Sequence, residues 1–250
     1  MTSCTPHCSL LDLSDINVLE KRVAKVLKRL ERLSQETISW HIKSAISSLN
    51  IIAALYGYWI CEGYKSGIER IVLISKGHCS LALYTWLAEV NIIKEEELLS
   101  FANPRSRLQA HPEAGKVPGI IASTGSLGLG LSIANGIALA SKMDGVNREV
   151  AVLLGDGELD EGQIWEAAAT ASSLKLDNVV ALVDRNMTQH SGFTEHIKIK
   201  EPLKDKWRSF GWHVIEVSNN LKDIIRGLMS ADSIKGKPKV IIVYGHSFRY

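Results

Sequence analysis

Apolar residues recur at intervals of four and three positions near the N-terminus, which predicts an amphipathic helix over residues 15–34 with Ser14 as its cap. The opposite side of this helix is basic, and we interpret it as a solvent-exposed face. The longest apolar stretch, LNIIAALYGYWI at 49–60, is too short for a membrane span and predicts a buried helix. The apolar face of the first helix consists of Leu19, Val23, Val26, Leu30 and Leu33.

Further along the chain, apolar runs of strand length alternate with helical patterns. The segment 69–78 is predicted to be a strand that ends in a polar turn. Further strands are predicted at 150–154 and 178–183, and in the late segments WHVIEV and KVIIVY. Helices are predicted at 161–174, at 221–229, in SLALYTWLAEV and in the small-residue segment around 132–140; VPGII before the latter is a short strand or a loop. This alternation predicts an α/β fold with a doubly wound parallel sheet. We expect one domain over 1–250, with 1–35 as an N-terminal helical extension.

Composition excludes several classes of protein. A formal net charge of +2 and 22% charged residues do not indicate a nucleic-acid-binding protein or a disordered tail. The N-terminus lacks the basic and long apolar regions of a secretory signal, and four cysteines are too few for a disulfide framework. Cys4, His7 and Cys8 lack a second ligand pair, so we predict no structural metal site there. We therefore expect a cytoplasmic protein that does not associate with membranes.

A lone carboxylate between two glycines marks the end of the predicted strand 150–154, in the stretch LLGDGELDEGQIWEA. Parallel sheets bind ligands at the carboxyl ends of their strands, and Asp156 follows one such end. Asn186 follows the end of the next strand, so one crossover should bring the two side chains to the same edge of the sheet. Taken alone, Asp156 in a GDG turn would be interpreted as a helix N-cap; the downstream helix, strand and Asn186 favour a ligand site.

Asp156, Asn186 and the Thr188 carbonyl together offer one carboxylate and two neutral oxygens. Hard cations such as Mg²⁺ or Ca²⁺ take oxygen ligands, and Mg²⁺ leaves part of its shell to phosphate or water. A neutral Asn suits a site whose other ligands are anionic phosphates. Gly155 and Gly157 would permit close backbone approach and unusual dihedral angles. The pattern predicts a metal-bridged diphosphate site.

Five ordered segments then resemble one family over nearly the whole chain. GDGELDEGQIWEAAATASSLKLDNVVALVDRN is similar to the GDG-to-Asn signature of thiamine diphosphate enzymes, in the form found in transketolases. The other four segments are SWHIKSAISSLNIIAALY, RIVLISKGHCSLALYTWLAE, SRLQAHPE and VPGIIASTGSLGLGL. The resemblance implies a thiamine diphosphate-binding fold, with thiamine diphosphate and Mg²⁺ or Ca²⁺ as cofactors.

The resemblance also implies roles for individual residues. His78 would approach the diphosphate and the substrate, whereas His41 and His111 would line a sugar channel, so all three are candidate catalytic residues. Glu161 would contact the partner domain, or act only as a first-turn acid that favours the helix dipole. The metal ligands would be Asp156, Asn186 and Thr188. The remaining cofactor-binding candidates are Gly125, Ser126, Leu127, Gly128, Gly155, Gly157 and Glu158. The helix that opens after the 125–128 loop would aim its amides at anionic groups.

We expect from this resemblance the N-terminal, diphosphate-binding section of a split transketolase, a transferase that moves a two-carbon ketol unit between sugar phosphates. From the same resemblance, we expect the residues that bind the pyrimidine ring of the cofactor to lie outside this chain. We therefore expect it to act with a separately encoded C-terminal, pyrimidine-binding subunit, as an α2β2 assembly. The small-residue helix at 132–140 is the candidate for close packing against that subunit.

The sequence departs from the family pattern at four places. Ser39-Trp40-His41-Ile42-Lys43-Ser44 replaces SGHPGG, Ala110 replaces the glycine before His111, QHSG replaces QIDG after Asn186, and IIVYGHSFRY stands where TxKGKG is usual. Alternatives are therefore a subunit of a 2-oxo acid decarboxylase or dehydrogenase, a deoxyxylulose-phosphate synthase-like enzyme, or a non-catalytic homologue. The histidine segments favour the sugar-handling enzymes. His7, His190, His196, His213 and His246 are expected to be ordinary surface or core residues.

Overall fold

The computed structural model describes Leu13, residues 15–36 and residues 41–245. The predictions for Ser14, for Trp40, for the segment with Cys4 and Cys8 and for the last five residues lie outside these ranges. The domain boundaries at 1–250 likewise stay a prediction.

A five-stranded parallel sheet forms the centre of the protein. Its strands are β1 (Glu69–Ile74), β2 (Arg148–Gly155), β3 (Val179–Arg185), β6 (His213–Ser218) and β7 (Lys239–Tyr244). Their order across the sheet is β1-β2-β3-β7-β6. The short strands β4 (Thr188–Gln189) and β5 (Gly192–Phe193) form a separate antiparallel hairpin just after β3. The predicted doubly wound parallel sheet is confirmed: the connections from β1 through β2 and β3 to β6 run in one direction across the sheet, and the connection from β6 to β7 runs back.

Helices cover both faces of the sheet. They are α1 (Ile16–Glu36), α2 (Ile42–Lys65), α3 (Ser80–Glu89), α4 (Leu129–Met143), α5 (Gly162–Ser173), α6 (Thr194–Ile197), α7 (Leu203–Ser209) and α8 (Leu221–Asp232). Short 3₁₀ turns lie at Gly77–Cys79, Glu95–Ser100 and Gly157–Asp160. Within α2, Ala54–Trp59 is π-helical.

Alternate side chains of each strand pack into two separate cores, as the two-residue period of a strand requires. Leu153 and Leu182 point to the face covered by α1, α2, α3 and α8. Leu154 and Val183, one residue further, point to the face covered by α4, α5 and α7. Every residue of β3 is buried, because helices cover this strand on both sides.

Helix α2 was predicted as a buried helix, and the structure confirms it. The helical run Ile42–Lys65 is long and apolar enough to cross a membrane by length and composition alone. However, 72% of its most apolar window is buried inside the protein, which is what the core helix of a globular fold shows. No other helix in the described part of the chain meets the same test.

Two local predictions agree with the structure. In the segment 69–78 the strand ends at Ile74 and a polar turn follows, because the Ser75 and Lys76 amides both donate to the Leu153 carbonyl and the chain turns away. Of the two possibilities for VPGII, a short strand or a loop, the structure shows the loop, which runs before α4.

Candidate active site

The carboxyl ends of β2 and β3 place Asp156 and Asn186 at the same edge of the sheet. Gly155 pairs with Asp184 in the parallel ladder, so Asp156 and Asn186 each lie one or two residues beyond paired positions. Both side chains, together with Thr188, line a single cavity of about 920 Å³. The structure therefore brings the three predicted metal ligands together.

Asp156 is almost fully buried and has ordered partners on both oxygens. Its Oδ1 accepts from the Gly157 amide at 2.8 Å, and its Oδ2 accepts from the Met187 amide at 2.8 Å and from Arg185 Nη1 at 3.0 Å. Burial raises the pKa of the Asp156 carboxyl, and the attraction of Arg185 opposes that rise. The side chain is thus both the N-cap of the Gly157–Asp160 turn and a cavity residue.

Asp184 joins three elements beneath the cavity. Its Oδ2 accepts from Lys76 Nζ at 2.6 Å, from Ser47 Oγ at 2.6 Å and from Asn186 Nδ2 at 3.1 Å. Lys76 and Asp184 are both buried, and although burial disfavours the charge of Lys76, Asp184 outweighs it and raises the pKa of Lys76. The ion pair fixes Asn186 with its amide oxygen turned toward Thr188, whose N and Oγ1 each donate to it at 3.0 Å.

Glu158 holds the glycine-rich loop against the end of β2. Its Oε1 accepts from the Gly128 amide at 2.7 Å and from the Ser75 hydroxyl, while its Oε2 accepts from the Gly155 amide at 2.9 Å. Burial raises the pKa of Glu158, and these donors oppose the rise. Since Ser75 Oγ also accepts from the Gly130 amide at 3.2 Å, protein groups already occupy these amides at the start of α4. The carboxyl group that the Gly128 amide meets thus belongs to the Glu158 side chain rather than to a ligand.

The structure agrees only in part with the predictions for the 125–128 loop and for the glycines of the GDG turn. Gly125 and Leu127 line the cavity, whereas Ser126 and Gly128 are not part of its lining. Neither Gly155 nor Gly157 has a positive φ, so the predicted unusual dihedral angles are wrong for both. Close approach does hold at Gly157, where a Cβ would lie 2.7 Å from the Gln189 Cβ. Glu161 lines the cavity from the N-cap position of α5 without a side-chain cap bond.

The three candidate catalytic histidines converge on the same cavity from separate segments. His41 precedes α2, His78 lies in the turn after β1, and His111 lies in the long loop before α4. The rings of His41 and His78 have centroids 5.0 Å apart. Burial, reinforced by Lys76 and the other imidazoles, lowers the pKa of His78 to about 3. Burial and neighbouring His111, His190 and Lys76 lower the pKa of His41. His78 is therefore neutral at physiological pH.

Asp156 fits a hard cation by chemistry, whereas the Asn186 amide oxygen already accepts two hydrogen bonds from Thr188 and would have to exchange one of them for the cation. Asp156 Oδ1 accepts only one hydrogen bond, from Gly157, so a lone pair is left for a further partner. The set holds one carboxylate, and the part of the chain that is described contains no cluster of three or more His, Cys, Asp or Glu in a metal-binding arrangement. These oxygen ligands do not suit a soft metal. They suit a hard cation whose coordination shell is completed by phosphate.

Four residues of this site were missed in the sequence. Lys76 and Asp184 form the buried ion pair, Arg185 holds Asp156, and His190 lines the cavity although it was expected to be an ordinary surface residue. Lys76 lies two positions before His78, and Asp184 and Arg185 directly precede Asn186. A charged residue inside an otherwise apolar strand was the available signal.

Comparison with known proteins now decides the family. Residues 41–245 match the family described as the transketolase thiamine diphosphate binding domain. The chain belongs to this transketolase family. A relative from Phocaeicola vulgatus, one of the subunits of an apulose-4-phosphate transketolase, is 40% identical over 91% of this chain and 82% of its own length. The 6-deoxy-6-sulfo-D-fructose transketolase subunit SqwG from a Clostridium species is 39% identical over 81% of this chain and 75% of its own.

Solved transketolases share the fold. The transketolase from Campylobacter jejuni superposes with a TM-score of 0.80 at 24% identity, over 92% of this chain and 38% of that one. The chain thus spans a little over a third of this transketolase structure. The predicted membership of the transketolase family and the predicted fold are confirmed.

Breaking the Lys76–Asp184 pair should destabilise this transketolase domain strongly. Lys76→Met leaves the Asp184 carboxylate buried without its cation, which costs about 3–5 kcal/mol of unfolding free energy. The double variant Lys76→Met, Asp184→Asn should recover at least about 1 kcal/mol, because it removes the uncompensated charge. Urea unfolding measures both. Lys116→Met, in an exposed pair with Glu113, is the control and should change stability by less than about 1 kcal/mol.

The neutral state of His78 should make the domain less stable in mild acid. Between its ordinary pKa of 6.5 and its folded value of about 3, the unfolded chain binds a proton that the folded chain does not. Stability due to this group is therefore complete above pH 6.5 and falls by about 2 kcal/mol by pH 5. Urea unfolding at pH 7 and pH 5 should show a smaller loss for His78→Gln than for the wild type. Equal losses would contradict the assignment.

Proposed function

We propose that this chain is the thiamine diphosphate-binding subunit of a two-subunit transketolase that transfers a two-carbon ketol unit between sugar phosphates. The observation that carries the proposal is the single cavity in which three histidines from distant segments meet the oxygen donors of Asp156 and Asn186. The family match supports the cofactor, and the names of the two relatives described above support a sugar phosphate or related anionic sugar as substrate.

Asp156, Asn186 and the Thr188 carbonyl would hold Mg²⁺, or Ca²⁺, on the diphosphate. Thiamine diphosphate, when bound, supplies a thiazolium that stabilises negative charge on the transferred ketol carbon. Gly157 keeps the turn after β2 free of a side chain where Gln189 packs closely. Arg185 favours the ionised form of Asp156 against the effect of burial and directs the carboxylate, because its Nη1 contacts Oδ2.

The three histidines would handle the oxygens of the sugar. Ketol transfer creates negative charge on carbonyl and hydroxyl oxygens, and imidazoles can donate hydrogen bonds to them and move protons near neutral pH. His78, being neutral, would donate one N–H and could accept at the other nitrogen. His41 and His111 are more exposed, at the open side of the cavity, where a sugar would enter.

The partner would be a separately encoded C-terminal subunit that binds the pyrimidine ring, in an α2β2 assembly. Relatives that are 38–40% identical to this chain are named as single subunits of their transketolases, which supports the existence of such a partner. The outer side of α4 would receive it: Leu129 is 44% exposed, Met143 is 78% exposed, and a Cβ added at Gly136 would meet nothing within 4 Å. This face begins directly after Leu127, a cavity residue, so a subunit docked there would also reach the cavity.

The alternatives predict different substrates for the same cofactor site. A 2-oxo acid decarboxylase or dehydrogenase, or a deoxyxylulose-phosphate synthase, would turn over a 2-oxo acid; a non-catalytic homologue would bind the partner without turnover. Convergence of His41, His78 and His111 favours a polyol substrate, because it supplies several hydrogen-bonding groups around one cavity. A reducing cytoplasm is the compartment we propose for all of these.

Two variants of the reconstituted pair should separate cofactor binding from catalysis. Asp156→Asn keeps the shape of the side chain and should weaken Mg²⁺-dependent binding of thiamine diphosphate. Loss of a residue that only orients a metal ligand costs roughly 10–100-fold in affinity, so loss of a ligand itself should cost at least as much. His111→Ala should leave that binding unchanged and lower kcat roughly 100-fold or more. Calorimetric titration and ketol transfer from xylulose 5-phosphate are the measurements. Normal Mg²⁺-dependent binding by Asp156→Asn would refute the metal site, and turnover by this chain without its partner would refute the two-subunit enzyme.

A charge on the outer side of α4 should prevent assembly without harming the fold. Gly136→Glu introduces no clash and improves helix propensity, so the thermal unfolding midpoint of the isolated chain should not fall. An unpaired carboxylate buried in the interface should raise the Kd for the partner subunit roughly 100-fold or more. Met229→Glu places the same charge at a 57% exposed position on α8, on the other face of the sheet, and should leave assembly unchanged.

A further inference from the structure

His190 lies at the tip of the β4–β5 hairpin, at the position where the sequence has QHSG. The hairpin pairs Thr188 with Phe193 and Gln189 with Gly192, which leaves His190 and Ser191 as the two turn residues. The imidazole is exposed and lines the same cavity as His41, His78 and His111. Neither the family resemblance nor the function proposed above gives this residue a role.

The backbone that carries His190 is fixed from three sides. Asn186 Oδ1 accepts from the Thr188 amide, and the Met187 carbonyl accepts from the Thr194 amide at 2.9 Å, so both ends of the hairpin are tied down. Gln189 packs against Gly157 so closely that a Cβ at Gly157 would be 2.7 Å from it. The position of the imidazole is therefore set by the strand ends that form the cofactor site, rather than by a free loop.

The imidazoles around the cavity are chemically available. In residues 15–36 and 41–245, no side-chain hydrogen bond or ion pair engages His41, His78, His111 or His190. By contrast, Lys76, Asp184 and Asp156 beneath them form ion pairs with one another or with Arg185. Polar groups that line a cavity without protein partners are the groups left to contact a ligand.

The histidines differ in how far they are enclosed. His78 is half-buried, and its ring lies against that of His41, with centroids 5.0 Å apart. His190 is exposed and reaches the cavity from the tip of the hairpin, an element separate from those that carry His41 and His78. A sugar whose reacting carbon lies near His78 would extend its remaining carbons toward His190.

We propose that His190 is a specificity-determining residue that hydrogen-bonds a hydroxyl of the sugar phosphate, at the end of the sugar distant from the reacting carbon. This inference rests on the proposed function, because it concerns the sugar of that reaction. A neutral imidazole has one donor and one acceptor, which matches a hydroxyl group that can be both. An aliphatic side chain at the same position would leave such a hydroxyl without a protein partner.

The test compares His190→Leu with His190→Gln in the complete complex with its partner subunit, thiamine diphosphate and Mg²⁺. Leucine removes the hydrogen bond, whereas glutamine keeps a donor and an acceptor. One hydrogen bond corresponds to roughly a three- to ten-fold change, so His190→Leu should raise KM for xylulose 5-phosphate or fructose 6-phosphate by that factor with kcat little changed. His190→Gln should stay within about two-fold of the wild type. His213→Leu, on β6 and outside the cavity lining, is the control.

Calorimetric binding of the same sugar phosphates to the loaded complex provides a readout independent of turnover. Weaker sugar binding by His190→Leu, rescue by His190→Gln and an unchanged Kd for thiamine diphosphate support the inference. Sugar affinity equal to that of the wild type overturns it, and so does a loss confined to thiamine diphosphate affinity. Failure of the wild-type complex to transfer a ketol unit would refute the proposed function instead. In that case sugar binding still decides the inference about His190. If neither the wild-type complex nor the variants bind the sugar phosphates, the inference is overturned as well.

Discussion

The last two residues of β3 hold the site together through two buried ion pairs on opposite faces of the sheet. Asp184 meets Lys76 on one side, and Arg185 meets Asp156 on the other, because successive side chains of a strand point in opposite directions. Arg185 also reaches Glu195 at 2.5 Å and Glu201 at 3.0 Å in the segment after the hairpin. Removing one partner of such a pair strands a charge in the interior, which costs about 3–5 kcal/mol. The two ion pairs therefore fix the end of β3 to the elements on both faces of the sheet.

This framework has more carboxylates than cations before any ligand binds. Lys76 pairs with Asp184, but Arg185 is shared among Asp156, Glu195 and Glu201, so the excess negative charge favours a cation near the strand ends. The cavity above the framework has a different character, since its imidazoles and the lone pair of Asp156 Oδ1 lack protein partners within the described ranges. Groups that position the site and groups that would contact ligands are therefore largely distinct, and Asp156 belongs to both sets.

Sequence patterns predicted the sheet, its parallel direction and the approach of Asp156 to Asn186, because hydrophobic periodicity and strand-end rules are local. They could not predict the pairing of Lys76 with Asp184. These residues are 108 positions apart and meet only when the strands of the sheet assemble and α2 packs on it. His190 was misjudged because a turn residue after Asn186 gives no sign of the direction in which its hairpin folds. The glycines of the GDG turn were assigned unusual dihedrals, whereas Gly157 is required by the packing of Gln189.

The exposure of the histidines has a consequence for how this chain could work. His41, His111 and His190 line a cavity yet remain exposed, so the chain alone leaves the cavity open to solvent. Ketol transfer needs a site from which water is excluded, because water weakens the electrostatic contacts there and would react in place of the acceptor sugar. A second subunit seated on the outer side of α4 would begin beside Leu127, at the rim of the cavity. If the proposed partner docks there, the same event would close the cavity and complete the cofactor site, so the proposed function accounts for a domain that has an ordered ionic framework and would still need a partner for turnover.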